Sequence, residues 1–499
     1  SICGPVLQTL YETLPEPLTA HKALNNKPLA MIKIEVPSSC RSERDYIIHV
    51  VFWEWFGLEL SISETARVDA CIRLSGDQGA IHLPDTFFNR FESSALWLTA
   101  STLPTLPLEY WNPREMFGDP FEGETSLPVI FGSPESVPPG AVNGNPDELR
   151  LPIDIFGSLF FLLSRYEEAV LPDRDAHGRF PASASILGRA GLLHRSIGNE
   201  YVDILWQAMH RLWPGLERKN RKFRILATHD VDFPGFYWGA GMFKRARNVL
   251  STASKSSASK ASRRAFEALL FPRAGWKHDP YERIDALMDV SEANNIKSSF
   301  FYIPEKTDPI HDPGMLIDHP QVEAQWRRIH ARGHEIGLHP GYQTFNQPEL
   351  IRSGAEAIRR QLDRLGIDQP LLGSRQHFLR WETPLTAQAL NRAGLEYDST
   401  LGYANHAGFR CGVCYEFPMY DVIERKPLKL RQRPLIAMDC TVIDDQYMGL
   451  GSGQAAFDYL QRLKETCQYF QGDFVILWHN TRYLDDEEIE LYVETIEGS

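Results

Sequence analysis

The sequence has no excess of basic residues, no long apolar run and few cysteines, and each absence excludes a class of protein. Its formal net charge is -13, so we expect no basic face for nucleic acid. No window approaches the ~18 uninterrupted apolar residues of a membrane-spanning helix. Seven cysteines, an odd number in 499 residues, do not indicate a disulfide framework. Residues 1–13 lack a basic segment followed by an apolar run, so the sequence predicts a cytoplasmic protein.

What is present predicts two domains. A chain of 499 residues with 43% hydrophobic residues is too long for one ordinary domain and can bury sizeable cores. We predict a separate mixed α+β N-terminal domain over residues 1–215, with helices over 46–56, 153–170 and 201–213. Within it, Glu167 and Glu168 are interpreted as a solvated or helix-capping pair rather than a site. The role of residues 1–215 is not predicted.

Beyond residue 215, strands alternate with helices, which is typical of an α/β fold. The predicted strands are 223–228, 297–303, 335–339, 371–375, 395–398, 434–439 and 474–478. The predicted helices between them are 281–294, 321–332, 348–365, 383–393 and 454–470. This repeat favours a parallel (β/α) barrel over 216–499 rather than a doubly wound sheet. A segment rich in Ser and Lys, 251–264, is interpreted as a surface insertion, and the aromatic run 233–243 as a lid, a groove wall or simple packing.

The first of these strands ends in a polar group, Thr228-His229-Asp230-Val231-Asp232. Asp230 and Asp232 are two residues apart, so in an extended chain their carboxylates point the same way. Two such carboxylates repel each other unless a cation, a proton or a donor lies between them. The pair therefore indicates either a metal site with a general base or a strand end at which Asp caps backbone amides.

Three later strands end in histidine, and polar residues at the carboxyl ends of barrel strands converge on one face. His334 and His339 are five residues apart on a strand, so they face opposite sides and do not form a helical zinc motif. We assign a structural role to His334 and predict His339 as a metal ligand. His377 and His479 follow two other strands, where an imidazole can act as a general acid or a ligand.

In this order, the motifs over about residues 223–490 resemble those of the polysaccharide deacetylases of the NodB-homology type, a carbohydrate esterase family. Residues 154–180 also resemble the domain that precedes a bacterial branch of this family. The motifs, in chain order, are Thr228-His229-Asp230-Val231-Asp232, Gly333-His334-Glu335-Ile336-Gly337-Leu338-His339, Ser374-Arg375-Gln376-His377, Tyr397-Asp398-Ser399-Thr400 and Leu477-Trp478-His479. The resemblance implies a distorted (β/α)7-type barrel that binds one divalent metal.

The same resemblance implies roles for individual residues. Asp230 is the expected base, His479 the acid that protonates the leaving amine, and Arg375 the residue that orients Asp230. Asp232 stands one residue beyond the family's metal-binding Asp and is expected to replace it, with His339 as the second ligand. Tyr342 and Trp478 are assigned to substrate binding.

The sequence departs from the family at the second metal histidine, where Gln343 stands. A lone Asp and a lone His make a weak divalent site. His377, His229 or Asp230 could complete the ligand set, with His406 as a further candidate. Cys411 and Cys414 have the spacing of a zinc knuckle, but no matching pair follows, so we interpret them as structural or as a half-site.

The sequence therefore predicts a metal-dependent hydrolase that removes an N-acetyl group from an amino sugar or glycan intermediate. Zinc is the expected metal, and nickel, cobalt or iron are alternatives. Two other functions stay open: a catalytically degenerate barrel that binds a glycan or acts as a scaffold, and a metal-dependent amidohydrolase acting on a small non-sugar amide. The identity of the sugar and the oligomeric state are not predicted.

Overall fold

The structure, a computed structural model, describes residues 31–498 apart from 92–93, 119–122, 134–139, 143–144, 236–278 and 313. The Ser/Lys-rich segment 251–264 and most of the aromatic run 233–243 lie outside the described residues. The described chain is mixed α/β and contains a six-stranded sheet, a nine-stranded sheet and a two-stranded ribbon. None of its described helices is both long enough and apolar enough to cross a membrane.

The six-stranded sheet is built from the N-terminal third of the chain, in the order β2-β1-β3-β4-β8-β7. Its strands are β1 (Ile32–Pro37), β2 (Leu60–Thr65), β3 (Asp69–Leu74), β4 (Ala80–Pro84), β7 (Gly140–Val142) and β8 (Asn145–Arg150), and the ribbon pairs β5 (Glu109–Trp111) with β6 (Leu127–Val129). The helices of this region are α1 (Arg41–Ile48), continued by a π-helical segment (His49–Trp55), then α2 (Arg114–Phe117), α3 (Ile155–Leu163), α4 (Tyr166–Val170), α5 (Ile186–Arg189) and α6 (Ile197–Leu212).

The helix predicted over 153–170 is two helices. Asp154 caps the first, α3, by accepting a hydrogen bond from Gly157 N at 2.8 Å. The helix ends at Leu163, and Arg165 adopts a left-handed conformation with φ 54° before α4 begins. This turn brings the Arg165 guanidinium to the buried carboxylate of Glu168, 3.0 Å away. Of the two interpretations of Glu167 and Glu168, the solvated pair is therefore wrong, because both side chains are buried.

The nine-stranded sheet contains all seven strands that the sequence predicts beyond residue 215. Its order is β14-β15-β13-β12-β11-β10-β9-β17-β16, and every neighbouring pair is parallel except β14 with β15. The strands are β9 (Arg224–Val231), β10 (Ser299–Tyr302), β11 (Glu335–Leu338), β12 (Gly373–Ser374), β13 (Tyr397–Asp398), β14 (Phe417–Asp421), β15 (Lys426–Gln432), β16 (Ala437–Met438) and β17 (Asp473–Leu477). The sequence did not predict the β14–β15 hairpin.

From β9 to β13 and on to β15, neighbouring strands in the sheet follow one another along the chain. The last two strands of the chain, β16 and β17, lie on the other side of β9. Consecutive parallel neighbours of this kind need a crossover between strands, and helices supply several of them. The helices are α7 (Ile284–Ala293), α8 (Pro320–Ala331), α9 (Pro348–Leu365), α10 (Leu385–Arg392), α11 (Asp439–Ile443), α12 (Gln454–Tyr469) and α13 (Asp486–Ile496). The inner strands β10 and β17 are buried along their whole length, as expected for a sheet covered on both faces.

Residues on the two sides of position 215 are in close contact. Tyr46 OH donates a hydrogen bond to Pro418 O at 2.7 Å, and Trp55 Nε1 donates to Glu416 O at 3.1 Å. Glu168 forms an ion pair with Arg410, both side chains being 1% exposed. The division into two domains at residue 215 stays a prediction, and these contacts join the two parts through buried polar groups.

Candidate active site

The strand β9 brings Asp230 and Asp232 to the carboxyl end of the nine-stranded sheet, beside His339 at the end of β11. His339 Nε2 lies 3.6 Å from Asp230 Oδ2 and 3.2 Å from Asp232 Oδ1. His377 follows β12, and its Nε2 lies 3.5 Å from the same Asp232 oxygen. The candidate ligand atoms of Asp232, His339 and His377 all lie within 4.8 Å of one another.

Both imidazoles are held so that Nε2 faces this group. His377 Nδ1 lies 2.8 Å from Asp312 Oδ1, and His339 Nδ1 contacts the carbonyl oxygen of Arg375. A proton on each Nδ1 satisfies these acceptors and leaves the Nε2 lone pair free. A carboxylate or carbonyl behind a histidine is the usual outer support of a metal ligand.

The three residues fit a divalent cation. Asp232 Oδ1 and His339 Nε2 are buried, and neither has a hydrogen-bond partner among the described residues. Buried polar atoms without partners are costly, and a cation between them removes the cost. One carboxylate and two imidazoles form the donor set of a three-ligand catalytic zinc site, which keeps a further position open.

The carboxylates and imidazoles of the group shift each other's pKa values towards the charged forms. Burial alone would raise the pKa of Asp232, but His377 and His339 outweigh it and hold that pKa well below its usual range. Burial would lower the pKa of His377, but Asp232 and Asp312 raise it to about 9, so a metal that binds Nε2 has to displace a proton there. Asp312 itself keeps a pKa below the usual range, since hydrogen bonds from His377, Thr307 and the Tyr342 backbone outweigh its burial.

Arg375 lies beside the second carboxylate of the group. It is fully buried, and its Nη1 lies 3.5 Å from Asp230 Oδ1. Hydrogen bonds from Nη1 to Thr228 Oγ1 at 2.8 Å and from Nε to Ser399 O at 2.9 Å fix the guanidinium. Both partners belong to sequence motifs described above. Such a rigid cation can hold Asp230 in one orientation.

His479 approaches from the end of β17. Its Nε2 lies 3.9 Å from Asp232 Oδ2, and its Nδ1 lies 2.8 Å from Asp439 Oδ1. Burial would lower the pKa of His479, but Asp439 raises it well above its usual range. Asp439 was not among the predicted site residues, although it is the last residue of the predicted strand 434–439. Asp439, Cys440 and His479 form a second group whose atoms could hold a metal.

The candidate site lies at a cleft of about 290 Å³. Asp230, Asp232, His377 and His479 line it, together with Arg179 from the N-terminal region. The two residues assigned to substrate binding lie elsewhere. Tyr342 is 7% exposed and stacks on His311, which places it behind the lining residue Phe378. Trp478 is 1% exposed and packs on Tyr492 of α13, and it does not line the cleft.

Of the other ligand candidates, Asp230 lies beside His339, whereas His229 and His406 lie outside the group, as does Gln343. Gln343 Nε2 donates a hydrogen bond to Asp308 Oδ2 at 3.0 Å. His229 packs on Phe300 in the core, its Nδ1 lies 2.8 Å from Trp478 O, and burial lowers its pKa to about 3. His406 contacts its neighbour's carbonyl in a different cavity.

The remaining polar motifs are structural. His334 accepts a hydrogen bond from Ser298 N at 3.0 Å, in agreement with the role assigned to it. Cys411 and Cys414 are buried as free thiols. Cys414 N donates to Asn199 Oδ1 at 2.8 Å, so this segment is part of the packing against α6.

Comparison with known proteins gives one family match and several distant structures. A family of unknown function (DUF7033) matches residues 32–214. No curated protein matches the chain. A structure described as a polysaccharide deacetylase from Mycobacterium smegmatis is 16% identical over 56% of this chain and 84% of its own, with a TM-score of 0.35. The allantoinase Puue is 15% identical over 57% and 85%, with a TM-score of 0.34.

A third structure, described as a polysaccharide deacetylase from Pseudomonas aeruginosa PAO1, is 14% identical over 57% of this chain and 86% of its own, with a TM-score of 0.32. The chain is therefore similar to deacetylase and allantoinase structures over part of its length.

Proposed function

We propose that the protein is a metal-dependent N-deacetylase that acts on an amino sugar or glycan intermediate, and that its nine-stranded sheet is a distorted barrel of the NodB-homology type. One observation carries the proposal: His377 completes a three-donor group with Asp232 and His339, although Gln343 stands where a ligand was expected. The cytoplasmic location and the carbohydrate substrate belong to the proposal.

In this proposal Asp232, His339 and His377 hold one divalent metal, with zinc as the first choice. When bound, such a metal supplies Lewis acidity for the acyl oxygen and lowers the pKa of a water. Asp230 accepts the proton of the attacking water, and Arg375, 3.5 Å away, keeps that carboxylate in place.

His479 is proposed as the acid that gives a proton to the leaving amine. Its Nδ1 contact with Asp439 at 2.8 Å fixes the ring and favours the protonated form. The acid and the base follow two neighbouring strands, β17 and β9, and both line the same cleft. This arrangement is the reason for preferring catalysis to a scaffold role.

The first experiment measures bound metal and released acetate for the wild type, His377→Ala, His339→Ala and the matched control His406→Ala. We expect about one metal per chain in the wild type and the control, and loss of metal and activity in the other two variants. The substrates are a panel of N-acetylated amino sugars and, separately, small amides. Release from small amides alone would favour the amidohydrolase alternative, and metal retained in His377→Ala would contradict the ligand set.

A further inference from the structure

A short segment of the N-terminal region, residues 175–179, forms one wall of the active-site cleft. It is a tight turn in which Asp175 N donates to Arg179 O and Gly178 N donates to Asp175 O, both at 2.9 Å. Asp175 Oδ1 also accepts the backbone N–H groups of His177 and Arg179. Gly178 has φ +73°, a conformation that favours glycine, so the sequence Asp-Ala-His-Gly-Arg fixes the shape of the turn.

This turn is fastened to the C-terminal sheet. Arg380 Nε donates to His177 O at 2.7 Å, and Arg380 Nη1 donates to Tyr342 O at 2.6 Å. The side chains of His177 and Tyr342 are in hydrogen-bond contact at 2.9 Å. The contacts with Arg380 and Tyr342 thus fix the position of the turn relative to the cleft.

Arg179 is the residue of this turn that lines the cleft. It is only 8% exposed. Its Nε donates to Asp175 Oδ2 at 2.7 Å, and its Nη1 donates to Phe378 O at 3.2 Å. Within the described part of the chain, its Nη2 makes no hydrogen bond. Both N–H groups of Nη2 in this nearly buried guanidinium are therefore without a partner among the described residues.

The carboxylates of the cleft do not supply that partner. Asp230 faces Arg375, and Asp232 faces the two histidines of the ligand group. Asp444 is paired with Arg482, the other arginine of the cleft, whose second nitrogen also contacts a glutamate at 3.0 Å. Arg482 is thus bound by two carboxylates, whereas Arg179 is bound by one.

We propose that Arg179 is an anion subsite of the cleft, so that the acylated sugar hydrolysed there carries a carboxylate or a phosphate. A guanidinium prefers such groups, because its N–H donors match their oxygens and the hydrogen bonds are charge-assisted. A neutral sugar would leave Nη2 with hydroxyl partners only. That the bound anion is a substrate rests on the proposed function. Binding of an anion at Arg179 does not depend on catalysis.

The test measures binding without turnover. Glucuronate, glucose 1-phosphate and uncharged methyl glucoside are titrated into the metal-loaded protein by calorimetry. We expect at least one of the two anions to bind roughly tenfold or more tightly than methyl glucoside, and this preference to be lost in Arg179→Met. Arg179→Lys keeps the positive charge and should keep part of the preference for the anion. Preference for glucuronate indicates a uronic acid, and preference for the phosphate a sugar phosphate.

Arg174→Met is the matched control, because Arg174 lies on the same loop and bonds only backbone oxygens outside the cleft. It should bind both anions like the wild type. Equal binding of all three sugars, or anion binding that persists in Arg179→Met and so occurs at the metal, would overturn the inference. Anion binding that needs Arg179 in a protein that releases no acetate would instead sustain this inference and refute the deacetylase.

Discussion

Replacing Glu168 by Gln should destabilise the protein strongly, because Glu168 is the only carboxylate shared by two buried arginines in the described chain. Arg410 contacts it through two hydrogen bonds of 2.9 Å, and Arg165 through one of 3.0 Å. All three side chains are 1% exposed. An amide at this position keeps the shape and removes the charge, which leaves Arg410 buried without a counter-ion.

Two estimates of the cost agree. Breaking a buried ion pair by removing one partner typically costs about 3–5 kcal/mol. Independently, burial would raise the pKa of Glu168, but Arg410 and Arg165 outweigh it and lower that pKa from 4.5 to about 2. At about 1.4 kcal/mol per unit, this difference corresponds to about 3 kcal/mol of folding free energy. We therefore expect a loss of about 3–5 kcal/mol in the free energy of unfolding at pH 7.

Urea unfolding measures this loss as a lower midpoint with an unchanged slope. The matched control is Glu349→Gln, whose ion pair with Arg352 is exposed, with side-chain exposures of 81% and 54%. It should change stability by less than about 1 kcal/mol. The folded protein binds fewer protons at Glu168 than the unfolded chain, so this contribution is present above pH 4.5 and is lost as the pH falls towards 2. The gap between the wild type and Glu168→Gln must close over that range, and equal midpoints for the two Gln variants at pH 7 would refute the reasoning.

Three further predictions concern the cleft. Asp312→Asn removes the carboxylate behind His377 and should weaken metal binding roughly 10- to 100-fold in a competition with a chelator, while unchanged affinity would exclude Asp312 as an outer support. Asp439→Asn should lower kcat for acetate release by roughly 10²-fold or more with little change in KM, and an unaltered kcat would remove the Asp439–His479 pair from the mechanism. Gly337→Ala brings a Cβ to 2.3 Å from a phenylalanine ring carbon of β10 and should cost about 1–3 kcal/mol in urea unfolding, so a neutral effect would show that the ring moves freely.

The elements that sequence predicts well are those whose signals are local. The helix α9 has the bounds predicted for it, 348–365, because Pro348 begins it, Gly366 ends it in a left-handed conformation, and Ile351, Ile358 and Leu365 mark one buried face. The seven strands predicted beyond residue 215 are apolar runs that stop at polar residues, and the nine-stranded sheet contains all seven. Periodicity and end signals were sufficient for both.

The features that sequence could not predict depend on residues far apart in the chain. Arg165 breaks the predicted helix 153–170, and the buried charge that it meets, Glu168, is shared with Arg410, 242 residues away. Asp312 stands in a loop with no motif around it, and its position behind His377 exists only in the folded chain. Asp439 differs from these two, because an Asp at the end of a predicted strand is a local signal that was present and not used.

We propose that the ligand set of this cleft has changed position relative to the family that the sequence motifs resemble. Gln343 stands where the sequence resemblance predicts a histidine, and its side chain donates a hydrogen bond to Asp308, in the same loop that carries Asp312. Asp312 in turn contacts His377, so the loop that binds the Gln343 side chain also orients the imidazole that we propose as the third ligand. A comparison of single positions would count Gln343 as a lost ligand and an inactive site. The contacts of both residues with one loop favour a relocated ligand, because a site without function would not need a buried carboxylate to hold the tautomer of His377.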